Sequence, residues 1–323
     1  NQNQLQKLCP FLDFENARFP IMGGLLQPRA GTARQHIRRW KLHSASCQRA
    51  LASGFWHCFV QLLWAGSFAI SATHAVPDAS IMTMTQFLQV SKNMVDSCEI
   101  PIIADCDTGF GGPSNVSYLV KQYEQAGIAG ISIEDKIFPK QNSLLKGGKQ
   151  KLISEKEFVA KILAAKDAKI NDNFMIIART EALIAEVGMD EAIQRADAYE
   201  NAGADAILIH SKKETPDEII EFSELWKGNI PLVVVPTTYP TVSVEELIKN
   251  KFKMVIYANQ SLRASYLAMN KVLKEIKNSE RISEIKQEMT SMEKIFELQE
   301  MYEITNQEKN IEQDLKKMGY IDE

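Results

Sequence analysis

The sequence predicts an α/β chain folded as a (β/α)8 TIM-type barrel that carries a helical extension at its C-terminal end. The first observation behind this is an internal repeat. Glu124-Gln-Ala-Gly-Ile-Ala-Gly-Ile-Ser-Ile-Glu134 and Glu200-Asn-Ala-Gly-Ala-Asp-Ala-Ile-Leu-Ile-His210 align in register. Each reads as a helix end, an Ala-Gly stop, a buried strand and a polar residue where the strand finishes. The second is a further set of apolar strands, Pro101 to Asp105, Phe174 to Arg179 and Pro231 to Val235, each arriving after a helix. The third is the spacing of strand ends at Asp105, Glu134, Arg179, His210, Pro236 and near Asn259, about one per β-α unit. Repeats of that length imply a parallel sheet, and no G-x-G-x-x-G follows an early strand, so a closed barrel fits better than an open doubly wound sheet.

Taken from the start, residues 1–55 stand apart from 56–323. No acidic residue occurs between Glu15 and Asp78, while Arg18, Arg29, Arg34, Arg38, Arg39, Lys41 and Arg49 gather among Ser, Ala and Gln. That composition suits a mitochondrial transit peptide, a basic surface or aberrant sequence alike. Arg38 to Leu42 is a poor first strand, and Phe59 to Trp64 supplies the next. Helices follow at Ser114 to Gln125, Ser154 to Lys166, Met189 to Asn201, Pro216 to Trp226 and Val244 to Lys249. From about residue 260 the pattern is wholly helical: one run to Lys277, and another from Ile282 to about Lys309 with Ile285, Met289, Met292, Ile295, Phe296 and Met301 near helical spacing.

Composition narrows the function. The 323 residues, 45% apolar and 24% charged, suffice for one large barrel. A net charge of −4 argues against nucleic acid or an anionic membrane and favours a small-molecule substrate. The five cysteines, Cys9, Cys47, Cys58, Cys98 and Cys106, are odd in number and lack C-x-x-C spacing. A disulfide framework and a structural zinc site are thereby disfavoured, and a reducing, cytoplasmic setting is expected, with a mitochondrial one as the alternative. No apolar run reaches membrane-spanning length.

The chemistry gathers at strand ends. Asp105 and Asp107 flank Cys106 and Glu134 arrives from the neighbouring strand. Three hard oxygen donors without clustered His or Cys suit Mg²⁺, with Mn²⁺ also possible. A D-x-D pair taken alone equally caps a turn before Gly109. Lys136, Lys140 and Asn142 lie in a loop broken by Pro139 and Gly147-Gly148, either a lid over a ligand or solvated surface. Arg179, ending an apolar strand, wants a carboxylate or phosphate. His210 is placed likewise, although a lone His at a strand end also suits a structural hydrogen bond.

The ordered set D-x-D-T-G-F-G, E-D-K-x-F-P-K-x-N-S, A-R-T-E-A, I-L-I-H-S-K-K, V-V-P-T and A-N-x-x-L-R-A-S resembles the phosphoenolpyruvate mutase family of the isocitrate lyase superfamily, from about Trp64 to Gln307. The resemblance implies a homodimer or homotetramer with its last helix swapped between subunits, and Mg²⁺-dependent interconversion of phosphoenolpyruvate and phosphonopyruvate. It implies that Asp105 holds the metal, with Asp78, Asp107 and Glu134 organising its waters. Arg179 and His210 would contact substrate, Lys140, Asn142 and Ser143 would hold it from the lid, and Trp64, Gly66 and Ser67 would form the turn that binds its carboxylate. The Gly66-Ser67 order is exchanged relative to the family's W-G-S-G-L.

Two other readings stay open. Phosphonopyruvate hydrolase shares these motifs but carries Thr where Asn142 stands. A non-enzymatic paralogue that only assembles with active subunits is the other. Carbon-carbon lyases of the superfamily fit less well, because no Cys follows Asp107 for their K-[KR]-C-G-H lid.

Overall fold

The computed structural model describes residues 62–98, 100–148 and 150–321, together with the backbone of residues 21–22. Within it, seven parallel strands form a nearly closed barrel: β2 (Leu63–Ala65), β3 (Ile102–Asp105), β4 (Gly130–Glu134), β5 (Met175–Thr180), β6 (Ala206–Ile209), β7 (Leu232–Val234) and β8 (Phe252–Tyr257). A two-residue strand, β1 (Ile21–Met22), pairs in parallel with β8 at the free edge. The first strand therefore lies upstream of the expected Arg38 to Leu42, which falls outside the described residues. The strand expected at Phe59 to Trp64 is found at Leu63–Ala65.

Among the described residues the helices are α1 (Ser67–Thr73), α2 (Met84–Val95), α3 (Pro113–Gln125), α4 (Glu155–Ala168), α5 (Met189–Ala202), α6 (Asp217–Leu225), α7 (Val244–Lys249), α8 (Gln260–Asn278), α9 (Met292–Leu298) and α10 (Met301–Lys317). Helices α1 and α2 are not among those expected from the sequence. The second has a full capping box, in which Thr83 accepts from the Gln86 backbone N–H and the Gln86 side chain accepts from that of Thr83. The helix expected from Ile282 is not continuous. A short 3₁₀ turn, Ile282–Glu284, precedes α9, and Glu300 in the left-handed region (φ 56°) separates α9 from α10.

Strand alternation explains where the chemistry sits. Successive residues of a strand point to opposite faces, so each barrel strand feeds two separate cores. One core fills the barrel interior with Trp64, Ile103, Met175, Ile177, Leu208, Val233 and Ile256. The other lies between strands and helices and takes Ile102, Ala104, Ile131, Ile133, Ile176, Ala178, Ile207 and Ile209. Continuing the inward parity by two residues reaches Asp105 after Ile103, Arg179 after Ile177 and His210 after Leu208. Glu134 shares parity with Gly130 and pairs across with Arg179. Gly130 is required there, since a Cβ would lie 2.7 Å from the Met175 carbonyl oxygen. The polar ring at the C-terminal mouth is thus a consequence of period-2 geometry.

The opposite end is fastened differently, and the sequence repeat explains how. Glu124, ending α3, accepts the backbone N–H groups of Ile170 (2.8 Å) and Asn171 ahead of β5. Glu200, ending α5, accepts those of Asn229 (2.8 Å) and Ile230 (3.2 Å) ahead of β7. Each carboxylate satisfies two loop donors with charge-assisted bonds. Glu200→Ala is expected to cost about 1–2 kcal/mol in urea unfolding while leaving turnover unchanged, because it frees two partly exposed amides far from the mouth.

Candidate active site

The turn after β3 is set by two left-handed residues. Asp107 sits at φ 51°, a region an Asp tolerates, and Gly109 at φ 88°, where a Cβ would lie 2.6 Å from Val116 Cγ2. The Lys161 ammonium on α4, buried, donates to the Thr108 carbonyl at 2.8 Å and braces the same turn from behind. Asp105 and Asp107 are thereby held together, with the Asp107 N–H on Asp105 Oδ1 at 3.3 Å.

Ser67 reaches Asp105 from β2's end: its N–H and hydroxyl both donate to Asp105 Oδ2, at 3.4 and 3.0 Å. The exchanged Gly66-Ser67 order therefore leaves Ser67 buried in the site. Gly66 caps α1 with extended backbone, and a Cβ there would lie 3.1 Å from the Trp64 ring, which fills the barrel interior beneath.

The segment from Asp135 leaves and returns at one place. Lys136 bridges Leu152 antiparallel, the Ile137 N–H donates to the Lys151 carbonyl (2.9 Å) and the Ile153 N–H to that of Asp135 (2.9 Å). From this stem the loop folds back over the mouth. Lys140 Nζ lies 2.6 Å from Asp107 Oδ1 and 3.1 Å from Asp78 Oδ1, and donates to Ser67 Oγ at 2.9 Å. Asn142 Nδ2 donates to Asp78 Oδ2 at 2.7 Å. Burial pulls the Lys140 ammonium downward, but Asp107, Glu134, Asp105 and Asp78 override it and hold its pKa well above the ordinary value. Burial raises the Asp107 carboxyl to about 6 against the opposing charge of Lys140, so it remains a carboxylate at neutral pH.

A second cluster occupies the neighbouring strand ends. Arg179 Nε donates to Glu181 Oε1 (2.6 Å) and stands 3.3 Å from Glu134 Oε2. Its Nη2 donates to Ser143 Oγ (3.0 Å) and lies 2.9 Å from His210 Nδ1. Burial, then the Arg179 charge, pushes the His210 imidazole below its ordinary pKa, so it is neutral at neutral pH. Lys136 and Glu181 are fully enclosed and pair at 2.9 Å. Neither is assigned a role by the sequence reading, which offers Lys136 only as a lid lysine and Glu181 only as part of A-R-T-E-A. For Glu181, a carboxylate two residues beyond a buried strand Arg was the available signal.

Ten of the expected site residues thus meet at one mouth, in two groups: Ser67, Asp78, Asp105, Asp107, Lys140 and Asn142 on one side, and Glu134, Ser143, Arg179 and His210 on the other; Trp64 lies in the barrel interior beneath, and Gly66 caps α1. Among the described residues no three His, Cys, Asp or Glu side chains converge as a metal cluster. The donor set nevertheless fits a cation held through one carboxylate and water. Among the described residues no ion pair engages Asp105, and neither Glu134 oxygen accepts a hydrogen bond although the side chain is buried. Hard, water-rich coordination through one or two carboxylates is the habit of Mg²⁺.

Comparison with known proteins places the chain in a family. The family described as phosphoenolpyruvate phosphomutase matches residues 36–277. The chain is 46% identical over 238 residues to the phosphonopyruvate hydrolase of Variovorax sp. (strain Pal2), covering 73% of this chain and 82% of that one. It is 44% identical over 237 residues to the phosphoenolpyruvate phosphomutase of Tetrahymena pyriformis, covering 73% and 79%. A solved phosphonopyruvate hydrolase in complex with oxalate and Mg²⁺ superposes with a TM-score of 0.72 at 43% identity, over 76% of this chain and 85% of that one. A barrel with this inward ring of carboxylates, matched along three quarters of its length, belongs to the phosphoenolpyruvate phosphomutase family.

Proposed function

We propose that the chain is a phosphoenolpyruvate mutase, interconverting phosphoenolpyruvate and phosphonopyruvate. The observation that carries the reading is the placement of Asn142 beside Lys140, both on Asp78 beneath a folded lid. Two donors from the lid then face the place where a phosphoryl group would sit, and one of them, Asn142, is the residue that the hydrolase pattern replaces by Thr.

A bound Mg²⁺, or Mn²⁺, would supply positive charge against the substrate's carboxylate and developing enolate oxygen. Asp105 would hold it directly, with Asp78, Asp107 and Glu134 orienting its waters. Arg179 would bind the substrate, steadied on its other edge by Glu181, while neutral His210 offers a hydrogen bond without adding charge. Trp64, Gly66 and Ser67 would form the floor under the carboxylate. As the carbon-phosphorus bond breaks, Lys140 and Asn142 would hold the phosphoryl oxygens, and the lid would keep water out until the enolate oxygen takes the phosphorus. No water is consumed and no group is lost.

Hydrolysis to pyruvate and phosphate is the second reading, favoured by the likeness to the Variovorax enzyme. Phosphorus NMR of the purified protein with phosphonopyruvate and Mg²⁺ separates the two. Phosphoenolpyruvate is the expected product; phosphate alone replaces the mutase by the hydrolase, and no reaction favours the inactive paralogue.

The substrate is a small molecule, and we propose that the assembly is a homodimer or homotetramer. Helix α8 buries no residue and exposes Tyr266, Leu267, Met269, Leu273 and Ile276, and α10 exposes Tyr302, Ile304 and Ile311. Such faces are covered when another copy packs on them. Truncation after Ser279 is expected to give monomeric or aggregated protein by light scattering; an unchanged subunit number would contradict the swap. Among the described residues no helix is long and apolar enough to cross a membrane.

A further inference from the structure

We propose that Glu181 is the latch of the lid, a positioning residue whose single carboxylate both holds segment 141–143 shut and aims Arg179 and His210. The inference rests on the mutase reading for its effect on products, and on geometry alone for its effect on the lid.

The two oxygens of Glu181 serve different parts of the molecule. Oε1 receives Arg179 Nε at 2.6 Å and lies 3.0 Å from His210 Nδ1, both at strand ends. Oε2 pairs with Lys136 Nζ at 2.9 Å and accepts the Ser143 hydroxyl at 2.5 Å, on the lid side. Lys136 belongs to the stem, fixed by its bridge to Leu152, and from there it donates to the Gln141 carbonyl (3.0 Å) and to Ser143 Oγ (2.5 Å). Ser143 Oγ therefore gives its one proton to Glu181 and accepts from Lys136 and Arg179. A lid that swings away loses the Gln141 and Ser143 bonds together, while Glu181 keeps Lys136, Arg179 and His210.

The base under this carboxylate is rigid. The Glu181 N–H donates to Asp135 Oδ1 at 2.9 Å, and Asp135 is itself held by Tyr199 Oη (2.7 Å) and Arg195 Nη1 (3.2 Å) from α5. Burial would raise the Glu181 pKa, yet Arg179, Lys136 and His210 keep it well below the ordinary carboxylate range. A fixed, ionised acceptor between two loops is suited to coupling them. The Asp78 side of the mouth anchors Lys140 and Asn142, and the Glu181 side anchors the residues on either flank of Asn142, so Asn142 faces the mouth only when both hold.

The test is amide hydrogen exchange of residues 141–148, read by mass spectrometry in the full chain, beside the product ratio from phosphonopyruvate. Glu181→Gln turns one acceptor into a donor facing other donors. It is expected to speed lid exchange about tenfold or more, with the amides of β4 and β5 unchanged, and to raise the phosphate share of product. Where Glu181→Gln does not fold, Ser143→Ala, which removes the lid-side hydroxyl and its bonds to Glu181, Lys136 and Arg179, carries the same expectation. Lid exchange at the unmodified rate, or acceleration spread evenly over the barrel, overturns the latch. Phosphate as the only product of the unmodified protein would overturn the mutase reading and leave the exchange result to judge the latch.

Discussion

Asp105→Ala is expected to lower turnover to about one-thousandth of the unmodified rate or less, with added Mg²⁺ failing to restore it. The magnitude is that of losing a charge-stabilising group aimed at a developing oxyanion. The expectation comes from the position of Asp105: it ends β3 on the inward face, Ser67 and the Asp107 N–H orient its two oxygens, and among the described residues no ion pair neutralises it. Asp107 already has Lys140 against it, so it is less free to act as the direct ligand. Removing Asp105 leaves Ser67 without its acceptor and removes a mouth carboxylate that no ion pair engages among the described residues. Turnover followed by phosphorus NMR, with calorimetric Mg²⁺ titration of both proteins, checks it. An Asp105→Ala protein near the unmodified rate, or one binding Mg²⁺ equally well, would show that the metal is held elsewhere.

Asn142→Ala is expected to lower turnover by about two orders of magnitude, as for loss of one transition-state donor. Asn142 also ties the lid: its Nδ2 is on Asp78 and its Oδ1 accepts the Leu144 N–H at 3.0 Å. Truncation removes both the donor to phosphorus oxygens and a bond that shapes the loop. Asn142→Thr keeps a hydroxyl of shorter reach and is expected to raise the phosphate fraction without producing an efficient hydrolase, since Lys140 and Glu181 still close the mouth. Rates within about twofold of the unmodified protein for Asn142→Ala would remove Asn142 from the chemistry, being far below the loss expected of such a donor.

Much of the barrel is legible because strands and stops are written locally. The Ala-Gly stops, the apolar runs and their terminal carboxylates place β3 to β6 within a residue or two, and alternation then carries Asp105, Arg179 and His210 to one mouth. Helix α7 matches Val244 to Lys249 as read. What escaped was short or non-local. Helix α1 has only seven residues, too few for a 3.6-residue period to show, and β1 has two. Helix α2 was readable, since Thr83-x-x-Gln86 precedes Phe87, Val90 and Met94 at helical spacing. Glu181 and Lys136 were less so: apart from the strand Arg two residues before Glu181, a charge just past a strand end looks like surface until its partners arrive, Lys136 and Ser143 from the lid loop and His210 from the end of β6. The break near Glu300 was hidden by apolar spacing that continues through it.

The paired carboxylates at the far end of the barrel have a consequence for how the chain can be cut. Glu124 encloses residues 124–171 and Glu200 encloses 200–230, so the two spans do not overlap. Between them the loop at Glu186, Val187 and Gly188 is exposed and carries left-handed backbone at two of its three residues. A break there leaves each clasp whole inside its own fragment. The two fragments would still meet along the β5–β6 pairing and where Arg195 and Tyr199 hold Asp135, and the rim closes across that same seam: Arg179 and Glu181 lie on the first fragment, His210 on the second.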